Sequence, residues 1–304
     1  MATSVKPLSE PRDQPGPPPA VFPWVGIVWF GVLLVICYAP VLKLLVWQWA
    51  NDEDMGHGFF VPLIAGWIIW QKRAELLAIP IKPNYWGLAL LGWGTVQMLL
   101  GAIGAELFLA RTAFLISLVG IILVVCGSRT VRALAFPLFL LLFMIPIPQI
   151  VYAQITLPLQ LFASTVAANT LNAVGIPALQ TGNILELPNG KQLSVVEACS
   201  GIRSLLSLSF LSLVYAWFFD SKRWMRLALL AATIPIAILA NATRVTITGI
   251  ISASYPNLAE GFFHALEGWV LFVFALALLI ACHALINRVY RLFHKTKEAR
   301  LSNA

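Results

Sequence analysis

The sequence has very little charge for its length. Only 11% of its 304 residues are Asp, Glu, Lys or Arg, whereas 60% are hydrophobic and the mean hydropathy is +0.85. A soluble domain needs roughly 25% charged residues to cover its surface. A chain this poor in charge requires a different solvent, and lipid provides one. The composition therefore excludes an ordinary soluble domain and predicts a membrane protein.

Cysteine is also scarce. The four cysteines, Cys37, Cys126, Cys199 and Cys282, show neither a CxxC pair nor a metal-ligand spacing, so we expect no disulfide framework, no metal site and no cofactor. Three of them lie deep in apolar runs, where cysteine behaves as a small hydrophobic residue. Only Cys199 lies in a polar stretch at the edge of such a run.

The net charge of +7 does not indicate nucleic-acid binding. The basic residues form short clusters between apolar runs, and there is no basic helix or aromatic platform. Most of these clusters fall on one side of the membrane if the chain crosses it eight times. The positive-inside rule then predicts that both termini are cytoplasmic, with membrane lipids as partners and no nucleic acid.

The predicted fold class is an all-α membrane protein with about eight transmembrane helices. A span needs about 20 apolar residues to cross ~30 Å of hydrocarbon. The expected spans are residues 24–47, 57–71, 85–104, 111–127, 132–147, 201–219, 226–243 and 264–287. They form one membrane domain, 24–290, between a proline-rich disordered tail at 1–23 and a basic tail at 291–304, both cytoplasmic.

An extracytoplasmic insert at residues 148–200 interrupts this domain. Apolar residues recur at helical spacing between 150 and 174 among Gln, Ser, Thr and Asn, which predicts a small amphipathic helix at the membrane interface. Residues 184–187 and 192–196 flank Pro188-Asn189-Gly190-Lys191. Because Asn-Gly between two apolar segments is a strong turn signal, the sequence predicts a β-hairpin here.

Three chemically active side chains are predicted at the extracytoplasmic ends of helices. Cys199 precedes the sixth span, Arg244 ends the seventh and His264 begins the eighth. A helix N-terminus, a guanidinium and an imidazolium would each favour the reactive thiolate. Cys199 is the predicted nucleophile, His264 the proton donor to the leaving amine, and Arg244 the partner of the developing oxyanion. Glu260 and Glu267, one turn from the histidine, are candidates to orient its ring.

Each of these residues also has an ordinary structural interpretation. A cysteine at a helix end is often inert, Arg244 suits a snorkelling anchor, and His264 suits an interfacial structural role. Their coincidence at one membrane face, against the charge bias, favours the active-site interpretation.

At these motifs the chain resembles the exosortase and archaeosortase family of integral-membrane cysteine transpeptidases. The nucleophile motif corresponds to residues 198–204 around Cys199, the arginine motif to Asn241-Ala242-Thr243-Arg244, and the histidine motif to Phe263-His264. The similarity extends through Phe143-Met144-Ile145-Pro146-Ile147-Pro148, Gly175-Ile176-Pro177, Thr181-Gly182-Asn183 and the segment from Asp54 to Pro62. The order Cys, Arg, His is similar to that of the bacterial members.

The resemblance implies a substrate class: exported proteins with a C-terminal sorting tail made of a Pro-Glu-Pro-type motif, a transmembrane stretch and a basic cluster. It also implies a site at the outer face of the bacterial cytoplasmic (inner) membrane. Four further residues are candidates for substrate binding or support: Arg203, Asn241, Glu267 and His57. Arg203 is placed either to bind a substrate carboxylate or to pair with Glu197. For His57 we favour a structural hydrogen bond over binding.

Two other functions remain open from the sequence. A membrane cysteine protease would give the acyl-enzyme to water instead of an acceptor. A transporter or scaffold would place ionisable groups near the bilayer midplane and break its helices in paired halves. Neither feature is evident, because the charges lie at the ends of the apolar runs.

Overall fold

The structure is a computed structural model that describes the backbone of residues 23–188, 190, 192–194, 201–220, 222–254 and 262–302. Within these ranges the side chains at 53, 54, 194, 201–204, 223, 254, 262–269, 271, 272 and 293–302 are not described. The predicted tail at 1–23 therefore lies outside the described residues except for Pro23.

Helices form most of the described chain. In chain order they are α1 (Trp24–Cys37), α2 (Ala39–Asn51), α3 (Phe60–Gln71), α4 (Arg73–Leu77), α5 (Trp86–Ile103), α6 (Leu107–Val125), α7 (Ser128–Ala133), α8 (Ala135–Leu140), α9 (Gln149–Ala173), α10 (Gly201–Phe219), α11 (Arg223–Ser254) and α12 (Phe262–Ser302). Two 3₁₀ helices, Glu53–Phe59 and Leu141–Met144, precede α3 and follow α8.

The chain divides into two compact units. The first comprises residues 1–42 and 64–139, and within it α5 packs on α6. This packing depends on glycine, since a Cβ on Gly94 would collide with Ser117, and one on Gly87 would lie 2.5 Å from Gly120 O. Small residues let membrane helices approach closely. Tyr38 adds a buried hydrogen bond between its hydroxyl and Ser117 Oγ at 2.9 Å.

The second unit, residues 43–63 and 140–304, contains α9 to α12 and a small sheet. Helices α10, α11 and α12 share an apolar core that includes Leu208, Met225, Leu229 and Leu279, all fully buried. A second core joins α9, α11 and the sheet, and it is built from Ala167, Ala168, Leu171, Leu185, Leu187 and Val245.

The sheet has three antiparallel strands in the order β1 (Leu179–Thr181), β2 (Ile184–Glu186) and β3 (Gln192–Ser194). Glu186 pairs with Gln192, so β2 and β3 form the predicted hairpin around residues 187–191. Strand β1 was not predicted. It joins β2 through a two-residue turn whose first position is Gly182, with φ +64°, as a type II′ turn requires.

The prediction of about eight spans is not confirmed. Five described helices are long and apolar enough to cross a membrane, and a sixth is added if the bent pair α1 and α2 forms one span. The predicted spans at 85–104 and 111–127 correspond to α5 and α6. The prediction at 201–219 matches the bounds of α10, but α10 is one of the shorter apolar helices and not one of the five candidate spans. The predicted spans at 57–71 and 132–147 contain only shorter helices, α3 and the pair formed by α8 and the second 3₁₀ helix.

Helix α9 was predicted as a small interfacial helix, and the structure makes it a 25-residue candidate span. Its hydroxyl groups bond to its own backbone: Thr156 Oγ1 donates to Tyr152 O at 2.8 Å and Ser164 Oγ to Gln160 O at 2.8 Å. A hydroxyl that is satisfied in this way does not need water. The serine and threonine residues that contributed to the predicted solvated face are therefore compatible with an apolar surrounding.

Candidate functional site

A part-buried hydroxyl pair shows the axial register of α10 against α11. Ser209 Oγ lies 3.2 Å from Thr233 Oγ1, and because Thr233 donates to Leu230 O, Ser209 is the donor between the helices. The two helices are antiparallel and joined by a short turn. Gly201 is eight residues before Ser209 in α10, and Asn241 is eight residues after Thr233 in α11. At about 1.5 Å per residue, the start of α10 is therefore level with Asn241.

Arg244 lies inside α11, about one turn beyond Asn241. It does not end the helix as predicted, because α11 continues to Ser254. Thr248 extends the helix by donating from Oγ1 to Arg244 O at 2.9 Å. The arginine is half-buried, and its Nε lies beneath the surface. Next to it, Val245 is fully buried in the core that α11 shares with α9 and the sheet. Arg244 is thus held on a rigid helix beside the hairpin.

Asn241 is 8% exposed and occupies the same part of α11. A buried amide one turn before Arg244 suits the supporting role that the sequence predicts for it. Ala242 and Val245 around it are also buried, so this segment of α11 is covered by other parts of its unit.

The position of α12 follows from its contacts at the opposite end of the helix group. Trp224, at the start of α11, lies beside Tyr290 with ring centroids 5.4 Å apart, so α12 runs antiparallel to α11 and parallel to α10. Tyr215 of α10 contacts His283 at 3.0 Å. His264 is nineteen residues before His283, or about 28 Å, whereas Gly201 is fourteen residues before Tyr215, or about 21 Å.

The backbones of Arg244 and His264 therefore lie at the same end of the group as Gly201. Along the helix axes, at about 1.5 Å per residue, Arg244 lies about 5 Å and His264 about 7 Å beyond the level of Gly201. The side chains of Arg203, His264 and Glu267 are not among the described ones, although all three residues belong to the first turns of α10 or α12.

Cys199 and Glu260 lie outside the described residues, as do Glu197 and the rest of 195–200. In the sequence, Cys199 is two residues before Gly201 and five residues after Ser194, the last residue of β3.

His57 connects three elements of the second unit. Its Nε2 lies 3.1 Å from Phe143 O, and since a carbonyl only accepts, this nitrogen carries the proton. Its Nδ1 then accepts from Ser207 Oγ at 3.3 Å. His57 thereby joins the first 3₁₀ helix to the second and to α10. Nearby, Trp49 Nε1 donates to Met144 O at 2.9 Å, so the segment that precedes Pro146 is held by two side chains.

Comparison with known proteins identifies the family. A family model described as transmembrane exosortase matches residues 49–281, well over half of the chain. The chain belongs to the transmembrane exosortase family. The matched region of this exosortase includes positions 57, 199, 241, 244 and 264. An exosortase-like function in a membrane, and cysteine-type peptide-bond chemistry in general, follow from the family. No curated protein and no solved structure matches the chain.

One polar cluster of this exosortase was missed by sequence analysis. Asp220, at the end of α10, and His283, in the middle of α12, are 3.3 Å apart and largely buried. They are sixty-three residues apart in the sequence, and no motif links them. A histidine inside an apolar helix was the only available signal. Among the described residues, no group of three or more His, Cys, Asp or Glu side chains is arranged to hold a metal ion.

Proposed function

We propose that this exosortase is a cysteine transpeptidase that cleaves the C-terminal sorting tails of exported proteins at the outer face of the membrane. Cys199 is the nucleophile, His264 the acid and base, and Arg244 the oxyanion partner. The proposal rests on the family match together with the axial register of α10, α11 and α12.

The register is the observation that carries the proposal. It brings the start of α10, Arg244 and the first turn of α12 to one end of the helix group, within about two helical turns of each other. Three helices that began at unrelated depths could not share one reacting carbonyl, because catalytic groups must lie within hydrogen-bond reach of the atoms they serve. In the sequence, only Ser200 separates Cys199 from Gly201, the first residue of α10.

The chemistry of the site requires a thiolate. An unperturbed thiol titrates near pH 8.5, so a nucleophilic cysteine needs nearby positive potential. The N-terminal end of α10 supplies part of it through its unsatisfied N–H groups. The guanidinium of Arg244 supplies a positive charge. A neutral His264 can take the thiol proton and become the acid of the next step.

The proposed reaction has two balanced steps. The thiolate of Cys199 adds to the scissile carbonyl carbon, and Arg244 binds the oxyanion. The C–N bond then breaks, His264 gives its proton to the leaving amine, and a thioester remains. In the second step His264 takes a proton from the acceptor nucleophile, which attacks the thioester carbonyl. Cys199 leaves as a thiolate, and no external oxidant or cofactor is needed.

The proposed sidedness of the site is based on the charge distribution. With the eight spans predicted from the sequence, the basic clusters between the apolar runs predict cytoplasmic termini and an extracytoplasmic position for Cys199. A sorting tail with its basic end in the cytoplasm presents its polar motif just outside the membrane. The motif and the thiol would therefore meet at the same depth.

A reporter with the tripartite tail, co-expressed with the exosortase, tests the proposal. We expect Cys199→Ala to accumulate in the membrane at the level of the parent protein and to leave the reporter uncleaved. Cys37→Ala is the matched control, because it removes an exposed free thiol elsewhere in the chain and should process normally. Normal processing by the Cys199→Ala variant would remove the mechanism.

Mass spectrometry of the product separates transfer from hydrolysis. An added group on the new C-terminus means transpeptidation, as proposed. A free carboxylate in the presence of the native membrane would make the enzyme a protease that passes its acyl group to water.

A further inference from the structure

A partly buried polar cluster joins α10 to α12 at the end opposite to the proposed site, and its Asp220 also contacts α11. It consists of Tyr215, Asp220, His283 and Asn287, and we call it the polar clasp. His283 is 8% exposed. Its Nε2 lies 3.3 Å from Asp220 Oδ2 and 2.8 Å from Asn287 Nδ2, and its Nδ1 lies 3.0 Å from the Tyr215 hydroxyl. Both ring nitrogens are therefore engaged.

Asp220 connects the clasp to α11. The backbone N–H of Lys222 donates to Asp220 Oδ1 at 2.7 Å, and Arg226 Nη2 donates to Asp220 O at 3.1 Å. These bonds secure the turn that leads into α11. Around the turn, the ammonium of Lys222 lies 4.1 Å from the centre of the Tyr290 ring, and Arg226 lies over Trp217 at 4.4 Å. Asp220 thus contacts α12 through its carboxylate and α11 through its backbone carbonyl.

The carboxylate stays ionised in this environment. Burial raises the pKa of Asp220, but hydrogen bonds from the Lys222 N–H and from His283, the charge of Lys222 and a bond from Asn287 together outweigh it. The net result is a pKa below the ordinary value for aspartate. An ionised carboxylate forms stronger hydrogen bonds than a neutral one.

The clasp can fix the axial register of the helices, which the surrounding aliphatic packing cannot do. Between the clasp and the proposed site, the three helices meet through Leu208, Leu229, Ala275 and Leu279. Aliphatic surfaces in lipid have no hydrophobic driving force to choose among registers, whereas interhelical hydrogen bonds do discriminate. A slip of α12 by one turn would move it about 5.4 Å. It would also separate His283 from both Tyr215 and Asp220.

We infer that Asp220 and His283 are positioning residues that fix the axial position of α12 and thereby place His264 beside the nucleophile. The inference rests on the proposed function. The two ends communicate through a continuous helix, since α12 runs without interruption from Phe262 to Ser302. A catalytic group displaced by 1 Å can lose about 100-fold in rate, so a positional role at a distance of about 28 Å is chemically significant.

The test uses the full-length exosortase in liposomes with the tripartite-tail reporter. His283→Leu should lower kcat by about 10- to 100-fold while KM changes less than about threefold, because substrate binding is not the step that the clasp serves. His283→Gln retains one donor and one acceptor at the ring position and should restore most of kcat. Ser212→Ala is the control, because it removes a fully buried hydroxyl from α10 outside the clasp.

A second readout does not depend on activity. In a variant without Cys37, Cys126 and Cys282, Cys199 and His264→Cys should form a disulfide under mild oxidation. His283→Leu should reduce its yield severalfold, and Ser212→Ala should not. If His283→Leu fails to accumulate, Tyr215→Phe takes its place, and His283→Gln remains the variant expected to keep the bonds. Unchanged cross-linking in His283→Leu, or in Tyr215→Phe where it replaces it, would overturn the inference even if activity fell. If the clasp variants reduce cross-linking but the parent exosortase does not cleave the reporter, the clasp is supported and the proposed function is rejected.

Discussion

Ser209 donates a hydrogen bond to Thr233 between two antiparallel helices, at an O–O distance of 3.2 Å. Thr233 is fully buried, and it passes the bond on to Leu230 O at 2.6 Å. The pair lies about midway between the clasp and the proposed site. It therefore relates the axial position of Arg244 to that of the start of α10.

Removing this pair tests its energetic weight. A double-mutant cycle with Ser209→Ala and Thr233→Val should give a coupling free energy of about 0.6 kcal/mol, and no more than about 1.7, as for other hydrogen bonds between membrane helices. Reversible unfolding in mixed micelles supplies the four values. Ser212→Ala combined with Thr233→Val is the control and should be additive, because Ser212 Oγ has no partner among the described residues. Equal coupling in both cycles would reject the contact.

Gly127 and Gly175 form a matched pair for backbone strain. Gly127 has φ +89° and ψ 176°, a conformation that only glycine adopts readily, and a Cβ there would collide with the backbone of Lys82. Gly175 has φ +86°, but the space around it is open. We expect Gly175→Ala to cost about 1–2 kcal/mol and Gly127→Ala clearly more. Thermal unfolding of the two variants in the same detergent measures the difference, and a smaller cost at Gly127 would contradict the geometry.

The clasp makes stability depend on pH in a defined direction. The pKa of Asp220 is lower in the folded protein than its ordinary value, so its stabilising contribution is present above about pH 4 and is lost as pH falls through the folded pKa. Asp220→Asn lacks this contribution. The stability difference between the parent protein and Asp220→Asn should therefore shrink as the pH falls below about 4. A difference that stayed constant over this range would show that the carboxylate is not held in its charged form.

The sidedness of the nucleophile is open to chemical labelling. With Cys37, Cys126 and Cys282 replaced by alanine, a membrane-impermeant maleimide should modify Cys199 from the extracytoplasmic side. The labelling rate should rise with pH and reach its plateau below about pH 8.5, the pKa of an ordinary thiol, because the site favours the thiolate. Restoring Cys126, which is 3% exposed, should add little labelling. Modification only after the membrane is opened would place the thiol on the wrong face.

Local signals predicted several elements well. The hairpin of β2 and β3 was predicted from Asn189-Gly190, and the described Gly190 has φ +72°, as such a turn needs. The bounds of α10 were predicted from one largely apolar run between Gly201 and Asp220. In both cases the sequence around the element is sufficient, because a turn residue or a charge marks its end.

Elements that depend on satisfied polar groups were predicted less well. Helix α11 extends beyond the predicted residue 243 because Thr246 and Thr248 bond to carbonyls one turn earlier, which hides their polarity. The same effect concealed the length of α9. The helix break after Cys37 coincides with Tyr38, whose hydroxyl bonds to Ser117, seventy-nine residues away. Sequence periodicity does not contain a partner at that distance.

The candidate site and the clasp differ in what the sequence reveals of them. The proposed site residues stay predictions that rest on their placement at the ends of apolar runs, where polar groups of a membrane protein are informative. The clasp could not be predicted, because Asp220 appears in the sequence as a loop residue and His283 as an isolated histidine in an apolar helix. Only their contact at 3.3 Å gives either a role.

Cross-linking of the nucleophile to α11 measures the convergence of the helix ends most directly. In a background without Cys37, Cys126 and Cys282, Cys199 paired with Arg244→Cys should form a disulfide under mild oxidation, since disulfides require Cα atoms within about 7 Å. Cys199 paired with Thr233→Cys should not, because Thr233 lies about 16 Å further down the same helix. Efficient cross-linking at 244 and none at 233 is the predicted result. Cross-linking at 233, or none at 244, would contradict a shared site for the thiol and the guanidinium.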